Sequence, residues 1–551
     1  MPSPSPRASS ARTRLSVDRL EDRLAPATFV VTNTTDAGAG SLRWAINHSN
    51  ASPGGDVIAF DIPGGGVHTI TPGSRLPGVT DPVVIAGHTQ HGFAGTPLIE
   101  LNGSAAGAGR PGLVLAGEAS GSVVRGLVVN NFGGDGLRIR ADDCRIVGNY
   151  IGTDATGTAV AGNAFNGVAL QSGVSGNVIG GTTVGARNVI SGNGFDGVSI
   201  NGPGNRVLGN FIGTTADGTA ELGNGGTGVF VGGGGATGNV IGGTATGSRN
   251  VISGNDGHGV WLTGFDTSGN VVQGNYIGTT ADGAAVLGNT LNGVFISYLA
   301  PNNVVGGNTA AARNVVSGNG GHGVEMFFAG TSGNRVVGNR IGTAAASGAD
   351  LGNGGDGVRF ANGAGGNRVG GAASGTGNVI AHNGGAGVRV GSGTGNAVLG
   401  NRIFANTGLG IDLGPVGVTP NDFDDPDVGA NHLFNFPLLY DAHQFLVVVP
   451  YPGPGVITEL VMRVRGSVNT ETNRTVRIEF FVTPAADPSG HGEGTRFLGA
   501  TTVTTGGTNT VSFNVLLPTD DLFEGQVVTA TATDLGTGDT SEFSAPQTVT
   551  F

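Results

Sequence analysis

The side chains of this 551-residue chain that could do chemistry recur at a fixed interval. His322 and Glu325 share the run GHGVEM, and Asp356 and Arg359 share GDGVRF. A histidine, two carboxylates and an arginine are the parts needed for acid–base chemistry on a sugar polymer. Upstream, Phe230, Trp261 and Phe295 stand at the equivalent place in GVFV, GVWL and GVFI, with His258 close by. Aromatic rings beside hydrogen-bonding groups suit sugars, whose CH faces stack while their hydroxyls find polar partners. Downstream, Asp422, Asp424, Asp425 and Asp427 form an oxygen-rich loop that suits Ca²⁺. It lacks the bidentate Glu of an EF-hand, and Pro426 interrupts it. No other cofactor is expected.

These residues are positioned by a repeat of about 64 residues, which divides into two turns. Asparagines open its short apolar runs in two columns, one including Asn177, Asn205, Asn239 and Asn270, the other Asn149, Asn188, Asn210 and Asn250. Two residues after each asparagine stands Val or Ile, such as Ile179 and Ile190. Side chains alternate along a strand, so that position points inward. A third run, Gly plus a β-branched residue, completes each turn. The pattern predicts an all-β chain: a three-sided parallel β-helix with asparagine ladders at its bends. A helical solenoid is excluded because no stretch of 110–410 has a 3.6-residue apolar period.

In this register the outward positions of the third strand form one column: Arg138, Ala169, Ser199, Phe230, Trp261, Phe295, Glu325, Arg359, Arg389 and Asp412. The residues before the strand glycine form another: Asp135, Asn166, Asp196, Thr227, His258, Asn292, His322, Asp356 and Ala386. Side by side they make the strip that could bind or act on a glycan. Packing of the aromatics under a loop is the competing explanation. A second stripe, Tyr150, Phe211 and Tyr276, recurs on alternate turns and reads better as loop packing. The single Cys144 aligns with the first asparagine column and reads as a bend residue. The TADG turns at Asp217 and Asp282 read as ordinary Asp-Gly turns.

The chain carries 39 acidic residues against 27 basic ones, all Arg, for a net charge of −12. An acidic chain without a basic cluster is a poor nucleic-acid partner. No stretch reaches the about 18 apolar residues of a membrane span. Residues 1–28 are polar, disordered or export-related, and lack the apolar core of a conventional signal peptide. Residues 29–110 are expected to hold an N-terminal cap and the first turns, with a short helix starting near Ser41. The repeats occupy 111–414, an acidic linker 415–455, and an antiparallel, Ig-like β-sandwich 456–551.

The segments DAGAGSLRWAI, PGGDVIAFDIP and the GNxIGT/RNVISGN repeats resemble large bacterial surface proteins with right-handed, pectin-lyase-like parallel β-helix repeats. The stretch RIEFFVTPAADPSGHGEGTRFLGATTVTT resembles the β-sandwich module that often follows. LEDRLAPATF is similar to an N-terminal motif of exported planctomycete proteins. The resemblance implies an extracellular or cell-surface location. It implies partners among extracellular polysaccharides or cell-surface proteins, and assigns no activity.

Polygalacturonases share this fold and also carry GHG before a strand, as at Gly257–Gly259 and Gly321–Gly323. Asp196 resembles the Asp of their NTD motif, but Thr227 stands where the paired aspartates should be, and no RIK exists. The general acid is therefore missing. The leading expectation is a non-catalytic, secreted or surface β-helix for structure, adhesion or glycan binding. The alternative is a polysaccharide lyase or glycoside hydrolase in a groove on the third sheet.

Overall fold

Glycine and asparagine end each strand of the repeat after two to four residues, and the chain turns a corner there. In the computed structural model residues 26–450 and 456–551 are described, so most of the polar segment expected over 1–28 lies outside them. Three parallel sheets of thirteen, twelve and eleven strands run the length of the solenoid. Each strand pairs with its equivalent one turn away, as Val178–Gly180 with Arg206–Leu208. The expected parallel β-helix is the fold. Ile179, Val207 and Ile241 of the first sheet, Ile190, Ile212 and Ile252 of the second, and Ile200, Val231 and Leu262 of the third are all fully buried.

The corner at Gly180 shows why glycine is needed. Its φ is +89°, and a Cβ there would sit 2.0 Å from the Leu208 carbonyl oxygen.

Three asparagine ladders hold the corners, one more than the two expected. In the first, Asn270 donates its backbone N–H and its Nδ2 to Asn303 Oδ1 at 2.9 and 3.0 Å. The second joins Asn188 to Asn210 in the same way. The third runs through Asn163, Asn193, Asn224, Asn255, Asn289, Asn319, Asn353, Asn383 and Asn406. Cys144 stands at the head of the first, its N–H donating to Asn177 Oδ1, and burial pushes its thiol up to about 11.

Both ends of the solenoid are closed. Helix α1, Leu42–Ala51, starts at the N-cap Ser41, whose Oγ accepts from Trp44 N at 3.2 Å. It buries Leu42, Ala45 and Ile46 against the first interior residues, as their spacing predicts.

The far end moves one expected boundary. Residues 438–450, expected in the linker, form a long strand that pairs antiparallel with Val456–Asn469 and parallel with Gln547–Thr550. The C-terminal unit is a seven-stranded sheet, antiparallel except for that one parallel pair. It folds over a single core in which Phe480 meets Phe513 at 5.6 Å.

This unit is docked on the last turn. Gly395 N donates to Asp539 Oδ1, Val398 N to Thr540 Oγ1, Gly400 N to Glu479 Oε2 and Leu413 N to Glu542 Oε1. Ile403 and Gly494 exchange backbone hydrogen bonds of 3.0 and 2.8 Å. Asn431 Oδ1 accepts from Asn396 N and ends the first ladder. Phe481 and Phe543 enter the solenoid core. An open β-helix edge would template further strands, and these contacts remove it.

Asp539→Ala would leave the Gly395 N–H without its acceptor and His432 without its carboxylate at 2.9 Å. Charge-assisted bonds contribute about 1.5–3 kcal/mol each. Faster limited proteolysis of the 415–435 segment is the expected result, with the solenoid's own melting little changed.

Candidate functional site

The third sheet positions the predicted strip. Its pairing puts Phe230 beside Trp261, Trp261 beside Phe295, Phe295 beside Glu325 and Glu325 beside Arg359. The rings do not form a flat stack: Phe230 meets Trp261 edge-on at 5.4 Å, and Trp261 meets Phe295 tilted at 5.9 Å. His258 stacks on Phe295 at 4.6 Å, and the Trp261 indole N–H donates to Ser297 Oγ at 2.9 Å. The three predicted aromatics are half-buried.

The sequence reading missed how far the strip extends. Strands Val294–Ser297 and Val324–Phe327 are long enough to offer a second outward position, and there Phe327 lies 6.0 Å from Phe295. Phe328 and Tyr298 follow around the corner, 4.4 Å apart. Tyr298 and Phe265 are 54% and 69% exposed. Tyr298, Leu299 and Phe328 have φ of 50°, 63° and 74°, a region costing about 1–2 kcal/mol per residue for L-residues. The aromatic surface is thus held outward on a strained corner.

The column beside the strip is a further ladder. All of its side chains except Thr227 and Ala386 offer an acceptor to the backbone N–H one turn on: Asp135 Oδ1 to Asn166 N, Asn166 Oδ1 to Asp196 N and Asp196 Oδ1 to Thr227 N. His258 Nδ1 then accepts from Asn292 N at 3.2 Å, Asn292 Oδ1 from His322 N, His322 Nδ1 from Asp356 N at 2.8 Å, and Asp356 Oδ1 from Ala386 N. The two GHG histidines and Asp196 are therefore rungs. Burial raises Asp196 to about 6 and lowers His258 to about 4.

The four candidate catalytic residues do come together. His322 Nδ1 is 3.4 Å from Asp356 Oδ2, and Arg359 Nη1 is 3.0 Å from His322 Nε2. Arg359 Nε lies 3.7 Å from Glu325 Oε1, while Glu325 Oε2 accepts from Asn292 Nδ2. Both ring nitrogens of His322 thus face N–H donors, and a neutral imidazole accepts at only one. Whichever nitrogen holds the lone pair is already engaged, so the ring has no free base. Burial lowers His322, with Asp356 and Glu325 pulling up and Arg359 and Arg389 pushing down. Glu325 and Asp356, 9% and 6% exposed, are held by these internal partners.

The four aspartates that suit Ca²⁺ by sequence are not clustered in the fold. Among the described residues, no group of three or more His, Cys, Asp or Glu side chains is arranged to hold a metal. Asp425 turns inward, accepting from Asn435 N and Thr470 Oγ1. It fixes the segment against the C-terminal sheet, and burial pushes its carboxyl up to about 7.

The second aromatic stripe is loop packing, as its alternate-turn spacing suggests. A Cβ on Gly157, Gly218 or Gly283 would sit within 3 Å of the Tyr150, Phe211 or Tyr276 ring, so the glycine turns press on the rings. These turns also stack: Ala216 N donates to Gly157 O and Ala281 N to Gly218 O. They cover the second sheet and leave the third-sheet strip open.

Fold and site together define a closed-ended parallel β-helix protein with an aromatic strip on one sheet. No protein-family model matches the chain, and no curated protein matches it. Among solved structures it is similar to the enzymatically active domain of bacteriophage CBA120 tailspike protein 2, at 12% identity and TM-score 0.37, over 93% of this chain and 76% of that one. It is also similar to pectate lyase Pel9A, at 15% identity and TM-score 0.30, over 73% and 84%. A periplasmic alginate epimerase aligns at 15% identity and TM-score 0.29, over 64% and 68%. Likenesses this distant carry no argument; the β-helix stands on its own strand pairing.

Among the described residues, no helix is long and apolar enough to cross a membrane.

Proposed function

We propose that this chain is a non-catalytic, extracellular or surface-attached β-helix that holds polysaccharide along the third-sheet strip. The observation that carries the reading is the continuous aromatic surface from Phe230 through Trp261, Phe295 and Phe327 to Tyr298, turned outward beside the polar rungs. Sugar CH faces pack on such rings, and a bound chain would run parallel to the solenoid axis. The non-catalytic part rests on the engagement of His322, Glu325 and Asp356 by internal partners. The extracellular location rests on the resemblance of the repeats and of LEDRLAPATF to exported surface proteins.

Trp261→Ala tests the binding surface. A glycan-array screen of residues 29–551 should find a neutral-sugar ligand, and the variant should weaken its retention at least tenfold. Unchanged retention would reject the strip. The convergence of Glu325, Arg359, His322 and Asp356 favours one rival, a lyase or hydrolase. Shortened or unsaturated products from any retained glycan, lost in Arg359→Ala, would establish it instead.

A further inference from the structure

The chain's net charge of −12 conceals a line of arginines without acidic partners. Arg187, Arg249 and Arg313 each follow the loop that joins the first and second sheets on alternate turns, and each does the same thing. Its Nε donates to a carbonyl on the next turn: Gly209 O at 3.4 Å, Gly274 O at 3.2 Å and Gly338 O at 3.1 Å. The guanidinium of Arg187 lies 4.0 Å over the Phe211 ring, and that of Arg249 4.0 Å over the Tyr276 ring. Each of these two is thus held by a ring below and a carbonyl at Nε, and its Nη donors make no hydrogen bond among the described residues.

Among the described residues, Arg187, Arg249, Arg313, Arg335, Arg340 and Arg368 form no ion pair with any carboxylate. Their mutual effect is visible: burial and then Arg313 and Arg402 push Arg340 down, and burial and then Arg335 push Arg368 down. Two grooves lie along this corner. One of about 620 Å³ has both Arg187 and Arg249 in its wall, with Asp217 also lining it and Thr244–Gly247 at its rim. The other, of about 360 Å³, has Arg335 and Arg368.

We infer that this corner binds an extended anionic polysaccharide bearing one oxyanion per disaccharide. A guanidinium fixed through Nε presents its Nη donors as a fork that matches a carboxylate or sulfate. Two turns of parallel strands separate Arg187 from Arg249 by about 9.5 Å, close to the repeat of two pyranose units in an extended chain. A nucleic acid fits less well, because the acidic remainder of the molecule repels a densely charged polymer. This site lies on a different face from the aromatic strip and goes beyond the proposed function. It can fail without affecting that proposal, and the reverse holds.

The test is titration of the full chain with hyaluronan oligosaccharides, which carry one carboxylate per disaccharide. Chondroitin sulfate, dextran and single-stranded DNA are titrated in parallel. Hyaluronan or chondroitin sulfate should bind at least tenfold more tightly than dextran, and weaken as salt rises. Both chains carry one carboxylate per disaccharide and chondroitin sulfate adds a sulfate, so equal binding assigns the site to the carboxylate, and tighter binding of chondroitin sulfate shows that the sulfate is read as well. The double variant R187Q/R249Q should lose at least tenfold. Because those arginines also brace the loops, Thr246→Glu serves as a second variant. Thr246 is an exposed rim residue, so the added charge should weaken binding without changing the melting temperature. Trp261→Ala should leave this binding intact. Equal binding of dextran, tighter binding of DNA, no binding at all, or unchanged affinity in Thr246→Glu would each overturn the inference.

Discussion

Asn255→Ala is expected to destabilise the protein by about 3 kcal/mol or more, although the residue touches no candidate site. Asn255 is fully buried. Its Oδ1 accepts from Asn224 N at 3.4 Å and Asn224 Nδ2 at 2.9 Å, and its Nδ2 donates to Asn289 Oδ1 at 2.8 Å. Truncation orphans the Asn224 N–H and removes one of two bonds from both Asn224 Nδ2 and Asn289 Oδ1, and a buried orphan costs about 1–3 kcal/mol before the cavity is counted. Water cannot repair the loss easily, because the Gly228 position already packs against the Asn255 amide. Asn255→Asp should be no milder. It keeps an acceptor for Asn224 but sets a negative charge against Asn289 Oδ1. In a solenoid each turn rests on its neighbours, so the damage should be local at first. Urea unfolding should show the lowered midpoint, and hydrogen exchange should show it earliest at Asn224 and Asn255. A loss below about 1 kcal/mol would mean the ladder is not what holds the corner.

The same ladder shows what the sequence makes legible and what it hides. The first two asparagine columns announce themselves because each opens an apolar run, as in NVIGG and NYIGT. The third sits in GNGFDG and GNDGHG, where polar residues follow it, so a search keyed on strands passes over it. The fourth ladder is harder still. Asp135, Asn166, Asp196, His258, Asn292, His322 and Asp356 share no residue type. They share an acceptor atom at the same distance from the backbone, and that emerges only when the turns are stacked. Register gathers the candidate catalytic residues, but a rung and a general base look alike in one dimension, so the sequence does not show that His322 and Asp356 also hold backbone N–H groups. Phe327 escaped because a three-residue strand offers one outward position and a four-residue strand offers two. The arginine line escaped for an electrostatic reason. A net charge reports the sum over the chain and says nothing of which carboxylates lie within reach of which arginines.

His258 allows the ladder and the site to be separated by pH. Its Nδ1 accepts a backbone N–H, so the folded protein needs the neutral ring, and burial lowers its pKa from 6.5 to about 4. The unfolded chain takes up a proton near 6.5, where the folded one does not. The stability this residue contributes is therefore complete above pH 6.5, declines as pH falls, and is gone below about 4. The full decline is on the order of 3 kcal/mol. Asn at this position carries an Oδ1 where His carries Nδ1, and the ladder already uses Asn166 and Asn292 in that role. His258→Asn should therefore fold, lose about 0.5–1.5 kcal/mol of stacking on Phe295 at every pH, and abolish this acid-dependent loss. Other buried groups titrate in the same window, among them Asp196, raised to about 6, whose effect has the opposite sign. The quantity to measure is thus the difference in unfolding free energy between the variant and the parent, from pH 7 to 4. That difference should change sign as pH falls, the variant being the less stable at pH 7 and the more stable near pH 4. A difference that stays constant would mean that His258 is not held neutral, and that its ring nitrogen is free for a ligand on the strip.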